Sequence, residues 1–135
     1  MQSDSGWLAA RWAAPSKVIA GTTQRYVAHY GGASPSDLPV GGNYGLKVGD
    51  VPAAVVANRS QLRSFLHEQQ SVKGGQTASG SSAEPQIQWL DQVHGHTCIY
   101  VDSDLPGRDE HPPKADAMWT DLPNIALAIQ SADCV

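Results

Sequence analysis

The sequence predicts a mixed α/β fold, a sheet layered with helices, and three observations lead there. Residues 51–66 carry apolar side chains at helical spacing behind an acidic residue and an early proline. Several short runs rich in β-branched and aromatic residues read as strands. One of them, Ile125-Ala126-Leu127-Ala128-Ile129, is continuously apolar, the pattern of a strand covered on both faces. With 135 residues and 41% hydrophobic content, the chain is long enough for one compact domain. Such a domain buries roughly two thirds of its unfolded surface.

The elements follow in chain order. Residues 7–25 alternate loosely and contain Lys17-Val18-Ile19-Ala20-Gly21-Thr22-Thr23, a strand candidate ending in polar residues. Residues 31–42 are dense in Gly, Pro and Ser and predict a long loop. Asp50 then acts as an acidic cap, Pro52 suits a first turn, and Val51, Val55, Leu62, Phe65 and Leu66 form one buried stripe. Residues 69–86 are rich in Gly, Ser and Gln with almost no large apolar side chain, so a flexible insertion within the domain is expected. Strand candidates resume at 87–93, 97–101, 117–120 and 125–129. Because the last of these is followed almost at once by Val135, the expectation is an incomplete single domain.

Charge narrows the partners. Nine Lys and Arg stand against thirteen Asp and Glu, and the basic residues are scattered. A nucleic-acid groove or an anionic membrane surface would need them clustered. No run approaches the ~20 apolar residues that span a bilayer, and the start lacks a signal-peptide pattern, so a cytoplasmic location is expected. Two cysteines, Cys98 and Cys134, are too few for a disulfide scaffold. Oligomeric state leaves no trace in the sequence.

Two strand ends carry the candidate chemistry. Gln92-Val93-His94-Gly95-His96 turns through a glycine after one strand candidate, and Ser131-Ala132-Asp133-Cys134 follows another. Strand ends of α/β proteins often converge on a site, and imidazole and thiolate both ligate zinc. Against this, a lone histidine after a strand is commonly a loop residue and a lone cysteine a small core residue. No Cys-x-x-Cys or His-Glu-x-x-His spacing is present. His96 and Cys98 read as structural, because Gly95 breaks the register that would align them with His94.

Order and separation of short motifs then point to a family. Thr22-Thr23-Gln24-Arg25, Gly31-Gly32-Ala33-Ser34, Asn43-Tyr44-Gly45-Leu46, Val48-Gly49-Asp50, Asn58-Arg59, Gln92-Val93-His94-Gly95, Ala115-Asp116-Ala117 and Ala132-Asp133-Cys134 occur in sequence. Together they resemble the YfiH-like, laccase-domain family from about Trp12 to the last residue. The chain departs from that pattern at Tyr26 to Tyr30, which separate Arg25 from the double glycine, and in the long 69–86 stretch.

The resemblance implies a zinc-dependent purine nucleoside phosphorylase, acting on adenosine, inosine, guanosine or methylthioadenosine with inorganic phosphate, and an adenosine deaminase activity. It implies His94 and Cys134 as metal ligands, with a second histidine as third ligand in a His-Ala-Gly-Trp-Arg-Gly motif that this chain does not contain. A fragment without that third ligand is expected to be inactive. The family's earlier description as copper polyphenol oxidases leaves copper at the same ligands as the alternative, since soft thiolate with imidazole also suits copper. A zinc with an open position lowers the pKa of water to about 7, which suits attack at C6 of adenine. Phosphorolysis needs phosphate held under the sugar, and the planar guanidinium fork suits phosphate. Arg59 is the first candidate for that part, in a catalytic as well as a binding role, or else a solvated residue on the outer helix face, and Arg25 is the second. Asn43 is expected to bind a ribose hydroxyl or base edge, or else to cap a loop. Asp133 is expected to act as acid or base, or to orient a ligand.

Overall fold

A computed structural model of the chain describes residues 6–24, 43–73, 83–104 and 109–131. The architecture is mixed α/β, as predicted, with antiparallel and parallel strand pairs and, among the described residues, one helix. The chain divides into two compact units, Met1–Glu84 and Pro85–Val135.

In the first unit, β1 (Trp7–Ala9) and β2 (Gly21–Thr23) pair antiparallel, with Trp7 opposite Thr23 and Ala9 opposite Gly21. The strand expected from Lys17 is shorter than predicted, because Val18 N–H instead closes a turn onto Pro15 O at 2.9 Å. Gly21 is required where it stands: an added Cβ would collide with the Trp7 ring and with Leu8 O.

The helix α1 (Pro52–Lys73) begins two residues after the expected acidic cap, Asp50. Val51 O accepts the first helical bond, from Val55 N at 3.3 Å, so Val51 is the N-cap and Pro52 the first helical residue. A proline is favoured there because its missing N–H has no helical partner to lose. Asp50 caps from outside, accepting the Val51 N–H at 2.7 Å. Val51 is consequently 63% exposed rather than part of the buried stripe. That stripe runs through Val55, Arg59, Leu62 and Phe65, and Phe65 packs on Trp7 with ring centroids 5.5 Å apart. Burying each of the three apolar members is worth roughly 1.5–3 kcal/mol.

The stretch expected as an insertion, 69–86, departs from that expectation at both ends. Gln69 to Lys73 form the last turn of α1, where Ser71 Oγ donates to His67 O at 3.2 Å, and Gln86 opens the next strand. Composition underrated the start because Gln and Lys are good helix formers and a helix already nucleated propagates at little cost. Residues 74–82 lie outside the described residues.

The second unit is built from two parallel pairs. β3 (Gln86–Gln88) pairs with β6 (Ile125–Leu127), and β4 (Cys98–Tyr100) with β5 (Ala117–Trp119). A parallel bridge between Asp91 and Lys114 lies between them along the chain. Ile87, Trp89, Leu90, Val101 and Ala115 are buried. The run at 125–129 is a strand at its start but is not covered on both faces: Leu127 is 38% and Ile129 55% exposed, and among the described residues β6 has one neighbour. Ahead of β6, Asn124 takes the left-handed φ of 62°, a conformation asparagine tolerates.

Candidate metal and nucleoside site

His94 sits at the apex of the turn that joins Asp91 to β4. Its φ of 57° is left-handed, a strained value for a residue with a Cβ. The bond network explains why the turn holds it. Asp116, between the Lys114 bridge and β5, turns its carboxylate under the apex: Oδ1 accepts Val93 N–H at 3.1 Å and Oδ2 accepts Thr97 N–H at 3.4 Å. The reverse link is backbone, with Asp116 N donating to Thr97 O at 2.9 Å. Gly95 permits the approach, since a Cβ there would stand 3.2 Å from Asp116 Oδ2. Desolvation pushes the Asp116 carboxyl up, but the amides of Gly95, Thr97, Val93 and His94 together outweigh it and hold it below the usual carboxylate range.

A second clasp secures the root of the turn. Gln92 Nε2 donates to Gln130 O at 3.0 Å, and Gln92 Oε1 accepts Gln130 N–H at 2.8 Å. This ties the residue two before His94 to the residue four before Cys134. The His94 side chain is exposed. An imidazole is a donor that both zinc and copper accept. Cys134 and Asp133 lie outside the described residues, as does Arg25. Among the described residues no three His, Cys, Asp or Glu side chains gather around a point. His96 and Cys98 are exposed and stand in no such group.

The remaining motif residues of the first unit form one network. Arg59 is 6% exposed, and its Nε and Nη2 both donate to Tyr44 O, at 2.9 and 2.7 Å. Tyr44 is itself buried; desolvation raises its phenol pKa, opposed by a bond to the Thr23 side chain. Asn58 Nδ2 donates to Asn43 O at 2.8 Å. Asn43 uses both ends of its amide locally, Oδ1 accepting Gly45 N–H at 2.9 Å and Nδ2 donating to Asp50 Oδ2 at 3.0 Å. Thr23, Asn43, Tyr44, Asp50, Asn58 and Arg59, scattered over four motifs, thus brace β2, the 43–50 turn and α1 against each other. Of the two expectations for Arg59, the solvated outer helix face is corrected: the residue lies on the buried stripe, because Tyr44 O is there to receive its guanidinium. Its spacing, four residues after Val55 and three before Leu62, was the available signal. Gln92 and Asp116 were visible only as motif letters.

Asp50 makes this network sensitive to acid. Its carboxyl is lowered by the Asn43 bond first and the Val51 amide second, against a smaller desolvation. A depressed carboxyl contributes stability above its unfolded pKa of about 3.9 and loses it as pH falls through the lower folded value. The stability gap between wild type and Asp50→Asn should therefore be constant from pH 7 to about 5 and close below about 4. Urea midpoints of both proteins across that range check it, and a gap that persists unchanged at the lowest pH would remove Asp50 from the account.

Fold and turn together define an α/β protein with a histidine at the apex of a turn that the side chains of Asp116 and Gln92 hold. Residues 23–135 match the family model described as multi-copper polyphenol oxidoreductase laccase. The chain belongs to this laccase-like, YfiH family. Among curated relatives, a purine nucleoside phosphorylase of Pseudomonas aeruginosa is 34% identical over 131 residues, 97% of this chain and 43% of that protein. One of Xylella fastidiosa is 34% identical over 133 residues, covering 95% of this chain and 44% of the relative. One of Streptomyces coelicolor is 35% identical over 94 residues, 69% of this chain and 32% of the relative. The chain thus spans less than half the length of these relatives. No solved structure matches the chain at a significant level.

Proposed function

We propose that the protein carrying this chain is a zinc-dependent purine nucleoside phosphorylase that also deaminates adenosine. What supports the reading most is the similarity to relatives named purine nucleoside phosphorylase across nearly the whole chain. His94 and Cys134 would hold zinc, with Asp133 beside them as acid, base or ligand orienter. When bound, zinc supplies a Lewis acid beside the purine and activates water.

The chain's own residues have separable parts. His94 presents its imidazole from a preset turn. Arg59, committed to Tyr44 O, holds the 43–50 turn in place. That leaves Arg25 as the favoured direct contact for inorganic phosphate, by the bidentate geometry a guanidinium offers. Asn43 would meet a nucleoside only by giving up its bonds to Gly45 or Asp50. No described helix is long and apolar enough to cross a membrane; the cytoplasmic location is proposed from the sequence. Nucleic acid and membrane stay outside the proposed partners, because the nine Lys and Arg are scattered along the sequence.

The family's description as a multi-copper oxidoreductase keeps copper at the same ligands as a second reading. Protein from the complete reading frame, with its metal quantified, decides between them on incubation with adenosine, with and without phosphate. Adenine with ribose 1-phosphate, formed only when phosphate is present, is the expected result, with inosine as the deamination product. Neither product, together with copper-dependent phenol oxidation, would overturn the proposal.

A further inference from the structure

We infer that Asp116 and Gln92 are positioning residues for the metal-binding histidine, setting where His94 stands relative to the segment that leads to Cys134. The inference rests on the reading of His94 and Cys134 as ligands and adds what holds them in register.

Three observations carry it. First, His94 keeps a left-handed backbone, and the bonds that oppose its relaxation converge on one carboxylate, Asp116, through the Val93 and Thr97 amides. Second, Gln92 makes a complementary pair of bonds with the Gln130 backbone, 38 residues away in sequence, joining the base of the His94 turn to the strand extension that precedes Cys134. Third, the His94 ring is exposed and no described residue bonds its second nitrogen. Metal-ligating imidazoles are usually oriented through that nitrogen; here the backbone beneath the ring does the orienting. A side chain that fixes only its own loop would use Asp116 alone. The Gln92 clasp ties the loop to a second, distant stretch, which is what a two-ligand site needs.

The test uses protein from the complete reading frame and zinc itself as probe. Zinc affinity is measured by competition with a chromophoric chelator for wild type, His94→Ala, Asp116→Ala, Asp116→Asn, Gln92→Ala and Gln92→Glu, and the visible spectrum of each cobalt-substituted protein is recorded. Loss of an orienting partner weakens metal binding by roughly 10–100-fold, and that range is expected for Asp116→Ala and Gln92→Ala, with altered cobalt ligand-field bands. Asp116→Asn keeps one acceptor oxygen and Gln92→Glu keeps the acceptor for Gln130 N–H. Both should fall between wild type and the alanine variants, an order that mere loss of fold does not produce. Should an alanine variant fail to fold, its conservative partner decides: wild-type affinity with an unchanged cobalt spectrum overturns that residue's part. Wild-type binding in all four variants, with zinc lost in His94→Ala, overturns the positioning and leaves the ligand reading intact. Equal binding by wild type and His94→Ala overturns the ligand reading and the positioning with it.

Discussion

Replacing His94 by alanine is expected to abolish stoichiometric zinc in the protein expressed from the complete reading frame, and Cys134→Ala to do the same. Both are proposed as direct ligands, so the loss should exceed the roughly 10–100-fold typical of a group that only orients one. The imidazole is exposed on a turn held entirely from beneath. Its removal breaks no bond to a described residue, so the stability loss should be confined to what the left-handed φ at 94 costs alanine beyond histidine, about 1 kcal/mol or less. In an alanine variant that remains folded, the left-handed backbone at 94 persists, because Asp116 bonds the amides on either side and not the ring. Metal content by elemental analysis, alongside an unfolding curve, separates the two effects. Full zinc occupancy in either variant removes that residue from the ligand set. Co-loss of phosphorolysis and deamination in His94→Ala would place both activities at one metal, whereas retention of one would divide them.

Replacing Arg59 by alanine is expected to destabilise the protein by about 2–3 kcal/mol, the scale set by losing charged hydrogen bonds to a buried carbonyl. The guanidinium is 6% exposed and gives Nε and Nη2 to Tyr44 O. Its removal strands that oxygen and opens the buried stripe between Val55 and Leu62. Lysine has a single ammonium in place of the fork and cannot reproduce both bonds, so Arg59→Lys should fall between alanine and wild type. A direct phosphate contact would behave differently: KM for phosphate would rise steeply while the unfolding midpoint stayed near wild type. The comparison therefore reads both quantities on the same variants. An Arg59→Ala protein as stable as wild type, with phosphate binding lost, would return Arg59 to the phosphate and release Arg25 from that part.

The candidate site was legible in unequal degrees. His94 could be found because a histidine before a glycine at a strand end is a local pattern, and the motif order made it specific. Arg59 is legible as a residue, and in the folded chain its guanidinium bonds Tyr44 O. Its charge argued for solvent or ligand, while its register placed it on the buried face, and register won because a carbonyl was there to receive it. Asn43 presents the same contest: an amide suited to a nucleoside is, in the folded chain, spent on an Asx turn and on Asp50. Gln92 and Asp116 had no local signal, since their partners lie 38 and about 20 residues away.

Periodicity and composition sufficed for the mixed α/β class, for the helix around Val55 to Phe65, and for the approximate place of the strands. These are properties of neighbours a few residues apart, where the 3.6 and 2.0 repeats act directly. Only the folded chain decided that α1 continues to Lys73 and that the 125–129 run is left partly exposed. Only the folded chain, too, brought Asp116 beneath His94 and Gln92 onto Gln130. Those outcomes depend on which distant backbone groups come within hydrogen-bonding reach of a side chain, a distance of about 3 Å that no spacing along the sequence encodes.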